Sequence, residues 1–184
     1  MQPTGPEVVV TGASGGVGSL AVAILAKLGY TVIAETGKAD MRDYLLSLGA
    51  HDTMDRAALA PSGGPLGSAR WGGAVDTVGG AMLAGVLRTL AYGASVAACG
   101  NAGGFELNTT VLPFILRGVN LLGIDSLPVP QARRKVIWER LERDLPRSAI
   151  QRAMRVVPLA DTPALANEIL AARTHGHIVV DVNA

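Results

Sequence analysis

A short run of glycines between an apolar strand and an amphipathic helix constrains this chain more than any other feature. Val8-Val9-Val10 leads into Thr11-Gly12-Ala13-Ser14-Gly15-Gly16-Val17-Gly18, and residues 19–28 continue as an amphipathic stretch. A strand that turns through glycines into a helix start presents backbone N–H groups, and the positive end of the helix, to an anion. Gly18 alone could be explained by close helix–strand packing. Gly12, Gly15 and Gly16 in the same turn add an entropy cost on folding that a ligand approaching the backbone accounts for. The segment predicts a dinucleotide-binding unit, with Ser14, Gly15, Gly16, Val17 and Gly18 around a pyrophosphate.

The rest of the chain supplies a matching architecture. Residues 7–10, 31–34, 74–78, 95–98 and 119–124 read as strands, and 15–28, 40–48, 81–90 and 131–145 read as helices. This alternation predicts an α/β, Rossmann-like doubly wound parallel sheet with helices on both faces. Strands that are apolar almost throughout fit that burial. Residues 61–67, dense in glycine and proline, read as a loop beside the sheet. A last helical pattern over 162–173 is stopped by His175-Gly176 and followed by a strand-like run over 178–182.

Length and charge narrow the partners. With 184 residues and 49% hydrophobic content, the prior is one compact domain. A formal charge of +1 provides neither a basic field for nucleic acid nor a polybasic tract for a membrane surface. Small molecules are the expected partners. The residues after Met1 have no basic or strongly apolar leader, and no apolar run reaches about 18 residues. The single cysteine, Cys99, excludes an internal disulfide, and His51, His175 and His177 show no metal-ligand spacing. The expectation is a cytoplasmic chain without a metal site.

The residues after the second strand bear on cofactor choice. An acidic residue about 20 positions past the glycines holds the ribose 2′-OH of NAD. Here the strand runs into Glu35-Thr36-Gly37-Lys38. With Thr36 at the discriminating position, its hydroxyl, the Gly37 backbone and the Lys38 cation suit a 2′-phosphate, so NADP(H) is expected. Arg42 is either a second phosphate ligand or an exposed helix arginine. A shift of one residue would place Glu35 at the ribose and favour NAD(H), and strand alternation puts Glu35 and Thr36 on opposite faces.

Two families share the glycine lettering. The segment 11–18 fits the Thr-Gly-x-x-x-Gly-x-Gly pattern of short-chain dehydrogenases, and Asn101-Ala102-Gly103 resembles their Asn-Ala-Gly segment. Those enzymes also need a Tyr-x-x-x-Lys pair for proton transfer. Four positions beyond Tyr30, Tyr44 and Tyr92 stand Ala34, Leu48 and Val96. The wider resemblance is to the medium-chain dehydrogenase/reductase superfamily, carried by Ala26-Lys27-Leu28-Gly29, Leu48-Gly49-Ala50 and the run from Trp71 to Gly80. The run from Val96 to Gly104, Pro113-Phe114-Ile115-Leu116-Arg117-Gly118-Val119 and Leu121-Leu122-Gly123-Ile124-Asp125-Ser126 resemble its zinc-free acryloyl-CoA reductase branch, often called quinone oxidoreductases.

That resemblance implies an NADPH-dependent reductase of the carbon–carbon double bond of a short 2-enoyl-CoA, or of a quinone. It implies that Cys99, Gly100, Asn101 and Ala102 lie against the nicotinamide ribose, and Gly123, Ile124 and Asp125 beside the nicotinamide ring. Cys99 itself reads as a small core hydrophobe, and Asp76 as part of a structural turn near the cofactor. Arg133-Arg134-Lys135 reads as a solvated helix face, with coenzyme A phosphates as the alternative. The resemblance leaves the proton donor unassigned and places a basic residue where His177 stands.

It also implies a chaperonin-like barrel domain for the substrate, which these residues do not contain. The chain then divides into an NADP-binding domain over 1–174 and a strand over 175–184 that would return to the barrel, without a partner here. A strand near 119–124 commonly joins a partner's sheet in the superfamily, so a homodimer is a further expectation. The competing reading is a nucleotide-binding or regulatory module without catalysis.

Overall fold

Val8, Val9 and Val10 are all buried, as a strand covered on both faces should be. They form β1 (Val8–Val10), and the glycine turn delivers the chain into α1 (Gly16–Lys27). The structure, a computed structural model, describes residues 5–60 and 63–184. From α1 the chain continues through β2 (Val32–Glu35), α2 (Arg42–Ser47), β3 (Asp52–Met54) and β4 (Trp71–Asp76). Then follow α3 (Gly80–Thr89), β5 (Leu90–Ala98), α4 (Leu112–Arg117), β6 (Asn120–Gly123) and α5 (Gln131–Asp144). The last elements are α6 (Arg147–Ala153), β7 (Met154–Pro158), α7 (Thr162–Leu170) and β8 (His177–Asp181).

Six strands make one sheet in the order β3-β2-β1-β4-β5-β6, and every pairing in it is parallel. The order reverses between β1 and β4, which is where open α/β sheets form a crevice at the carboxyl ends of their strands. Alternation along the strands feeds two cores. Val9, Ile33, Ala74 and Val96 pack with Met82, Val86 and Leu87 of α3 on one face. Val10, Val32 and Ala34 pack with Val22 and Ala23 of α1 and Leu45 of α2 on the other. Each fully buried valine or leucine stabilises the fold by roughly 1.5–3 kcal/mol, so these two layers fix the sheet on which the glycine turn sits.

The expected parallel sheet and its principal helices are present, with ends displaced by a few residues. The run over 178–182 is corrected: it has a partner. β8 pairs in parallel with β7, from Met154↔His177 to Pro158↔Asp181, as a separate two-stranded sheet. Nothing in the sequence announces β7, because Met154-Arg155-Val156-Val157-Pro158 carries a charge and ends in proline. The expected loop over 61–67 starts outside the described residues at Pro61 and Ser62; Gly63 to Arg70 run irregularly into β4.

Candidate functional site

The carboxyl ends of β1 and β4 are tied together by buried polar groups. Thr11 Oγ1 donates to Asp76 Oδ1 at 2.7 Å, and Gly79 N donates to Asp76 Oδ2 at 2.9 Å. Thr77 returns two bonds to Thr11, from its N–H to Oγ1 at 3.1 Å and from Oγ1 to the carbonyl at 2.8 Å. Asp76 is fully buried with both carboxylate oxygens engaged. It therefore holds two turns in register, and its environment suits that task better than proton transfer.

Above this brace the glycine turn takes its shape. Gly12 adopts φ +59°, a conformation that costs a residue with a Cβ about 1 kcal/mol or more. A Cβ on Gly18 would collide with the Gly12 carbonyl oxygen and with Ala13. The turn closes through Gly15 N to the Gly12 carbonyl at 3.0 Å and Ala13 N to the Glu35 carbonyl at 2.8 Å. Gly15 caps α1 without a side-chain bond, leaving the N–H groups of Gly16, Val17 and Gly18 at the head of a helix, where no intrahelical carbonyl serves them. Anion binding there needs nothing further.

The end of β2 differs from what alternation predicts. Glu35 is the last residue of the strand, so the two-residue period stops before Thr36 and both side chains reach the glycine turn. Thr36 Oγ1 lies 3.0 Å from Ser14 Oγ and accepts from Lys38 N at 3.2 Å. Glu35 is fully buried, and its Oε2 accepts from Gly12 N at 2.8 Å. Its other oxygen, Oε1, has no hydrogen-bond partner and lies 3.8 Å from Arg56 Nε. Burial holds this carboxyl above its ordinary range, against the pull of the Gly12 N–H and Arg56.

Two expected cations are otherwise engaged. Lys38 donates its ammonium to the Thr174 carbonyl, and Arg42 pairs with Asp52 Oδ1 at 2.5 Å while donating to Thr53 Oγ1 at 3.0 Å. Arg42 therefore serves the edge strand β3. Arg56 also borders Gly37, its guanidinium lying 3.0 Å from where a Gly37 Cβ would stand. Sequence reasoning did not single it out. It sits 21 positions beyond Glu35 in a 3-10 turn (Arg56–Leu59) that Asp55 caps by accepting from Ala57 N, and only the β2–β3 pairing brings it back.

The C-terminal turn also folds over the site. Gly176 N donates to the Ser14 carbonyl at 2.9 Å, and a Gly16 Cβ would stand 2.8 Å from His177 Nε2. His175 meets Tyr44 edge to face at 5.1 Å between ring centroids. Residues 174–177 are thus anchored on the glycine turn and α2, although no chemistry was expected of the two histidines.

The remaining expected residues line the same edge of the sheet. Gly100, Asn101 and Ala102 are exposed in the turn after β5, which is held by Gly103 N to the Val78 carbonyl at 2.7 Å. Cys99 is corrected: it is exposed at the end of β5 and is not a core residue. Its Sγ lies 3.4 Å from the Asp76 carbonyl, and partial desolvation with the nearby Asp76 charge holds the thiol above its usual range. Gly123 ends β6, Ile124 N donates to the Ala98 carbonyl at 2.9 Å, and Asp125 Oδ1 accepts from Leu127 N at 2.9 Å.

With this geometry in place, comparison with known proteins is informative. Residues 16–142 match the family described as zinc-binding dehydrogenase. The chain belongs to that family. A Ruegeria pomeroyi relative named acrylyl-CoA reductase AcuI is 55% identical over the whole of this chain and 56% of its own length. The Salmonella enterica yhdH oxidoreductase, solved in complex with NADP, superposes with a TM-score of 0.95 at 51% identity, over 98% of this chain and 56% of that one. The Bacillus subtilis protein yhfP, named a putative quinone oxidoreductase, is 44% identical over 98% of this chain and 55% of its own length. Its structure with NAD bound has a TM-score of 0.92, over 99% of this chain and 56% of that one. The chain thus spans just over half the length of the relatives it matches.

Among the described residues no group of three or more His, Cys, Asp or Glu side chains could hold a metal ion, and no step below passes through one. Also among the described residues, no helix is long and apolar enough to cross a membrane.

Proposed function

We propose that this chain binds NADP(H) and forms the cofactor half of a reductase acting on the C=C bond of a short 2-enoyl-CoA or on a quinone. The observation that carries the reading is the open helix head at Gly16, Val17 and Gly18, with the Ser14–Thr36 hydroxyl pair beneath it and the Arg56 guanidinium beside Gly37. Ser14, Gly15 and the helix-head N–H groups would take the pyrophosphate, with His177 alongside. Thr36, Gly37 and Arg56 would take the ribose 2′-phosphate, and Lys38 would rim it. The backbone from Cys99 to Ala102 would pass the nicotinamide ribose, and Gly123, Ile124 and Asp125 would border the ring.

When bound, the cofactor supplies the hydride. This chain's residues bind and orient it by fixed backbone dipoles, which need no rearrangement when the ligand arrives. The substrate would be selected by a second domain, and the outer edge of β8 in residues 175–184 is where a strand of that domain would add. Leu122 and Ile124, both exposed at the edge strand β6, would meet the same strand of a second copy.

Titration of the 184-residue chain with NADPH, followed by fluorescence of the reduced nicotinamide, tests the reading. Saturable binding is expected, without NADPH oxidation on addition of acryloyl-CoA. Absence of binding would overturn the cofactor site. Steady turnover by this chain alone would overturn its description as half a catalyst.

A further inference from the structure

Glu35 is an unusual residue to bury. Its carboxyl is shut away from solvent, yet only Oε2 has a hydrogen bond, from Gly12 N–H, while Oε1 has none. A neutral amide would serve Gly12 equally well without the cost of burying a charge. Packing therefore does not account for the choice of glutamate.

Its surroundings suggest another role. Three charged groups act on the carboxylate: Arg56, Asp55 at the head of the same 3-10 turn, and Asp76 at the end of β4. Arg56 is the only cation of the three, with its Nε 3.8 Å from Oε1 and its side chain largely exposed. The same guanidinium borders Gly37, two residues beyond Glu35. A fully buried carboxylate thus stands behind the exposed cation that would border the adenosine ribose of a dinucleotide. The two groups act oppositely on a 2′-phosphate, which the cation attracts and the buried carboxylate repels, whereas an uncharged 2′-hydroxyl feels little of either.

We propose that Glu35 is a specificity-determining residue that offsets Arg56 at the ribose site and keeps this chain receptive to NADH as well as NADPH. The inference rests on the cofactor-binding reading above. Arg56 alone would draw the site strongly toward the phosphorylated cofactor; the buried carboxylate beside it moderates that preference.

The test is titration of the 184-residue chain and its variants with NADPH and with NADH, reading the ratio of the two dissociation constants. The wild-type chain is expected to bind both cofactors within about tenfold of each other, and Glu35→Gln to move the ratio about tenfold toward NADPH, the scale of one charge in a partly solvated site. Glutamine keeps an acceptor for Gly12 N–H. Arg56→Gln, at a largely exposed side chain, is expected to move the ratio about as far toward NADH. A purely structural role for Glu35 would weaken both cofactors alike and leave the ratio unchanged. An unchanged ratio in Glu35→Gln, a shift toward NADH, or a wild-type chain that refuses NADH would each overturn the proposal. If the wild-type chain binds neither cofactor, the underlying site reading fails as well.

Discussion

The carboxyl ends of β1, β2 and β4 and the outer face of α5 satisfy their side chains in opposite ways. At the strand ends Thr11, Ser14, Thr36 and Asp76 are buried, and each has a hydrogen-bonded partner within the same cluster. On α5, Val136, Ile137 and Trp138 remain exposed. Trp138 lines a cavity of about 620 Å³ with Leu20, Leu141, Leu145 and Ile150. This cavity is mainly apolar and is lined by none of the glycine-turn residues. At the strand ends polar groups satisfy one another, while Val136, Ile137 and Trp138 on α5 stay largely exposed. The proposed cofactor site is thus marked by its internal polar bracing and not by a deep apolar concavity.

The sharpest way to break the strand-end region is Gly18→Val. Its Cβ has no room beside the Gly12 carbonyl, so we expect loss of NADPH binding and about 3 kcal/mol of destabilisation by urea denaturation, the upper range of overpacking effects. Thr11→Val should come next. It removes the hydroxyl that donates to buried Asp76, and a lost hydrogen bond to a buried charge costs about 2 kcal/mol. Weaker cofactor binding should accompany it, because the β1 and β4 turns lose their common anchor.

A smaller effect separates Glu35 by its pH dependence. Its carboxyl is held above the ordinary value of 4.5 by burial, so the folded chain retains a proton that the unfolded chain releases. The associated stability is fully present below about 4.5 and is lost as pH rises through the raised value. Relative to Glu35→Gln, wild-type stability in urea titrations should therefore fall with rising pH; a difference that stays constant with pH would contradict the burial argument. The smallest stability change belongs to the α5 face. Trp138→Ser should alter unfolding free energy in urea titrations by no more than about 0.5 kcal/mol, as expected of a side chain left 64% exposed.

How much of this was legible beforehand varies by region for physical reasons. β1, α1, β2 and the parallel sheet were readable because apolar runs and a glycine turn carry their conformations locally. β3 was not, since Asp52-Thr53-Met54 is short and half-exposed at the sheet edge. α4 and α6, of six and seven residues, are too short for a helical period to declare itself. At the site, Ser14, Gly16, Gly18 and Thr36 followed from the glycine pattern and strand count. Arg42 and Lys38 are drawn toward the ribose by proximity in sequence, and the structure adds that they hydrogen-bond Asp52 and the Thr174 carbonyl.

By itself the sequence determined the glycine turn, the parallel sheet and the open head of α1, because strand burial, positive φ and helix polarity depend on neighbouring residues. Only the tertiary structure decided that Glu35 is buried under the turn, that Arg56 stands beside Gly37, and that residues 174–177 close over the site. Those placements come from strand pairing and from a C-terminal turn docking on the first helix, contacts between residues far apart in the chain that no local pattern encodes.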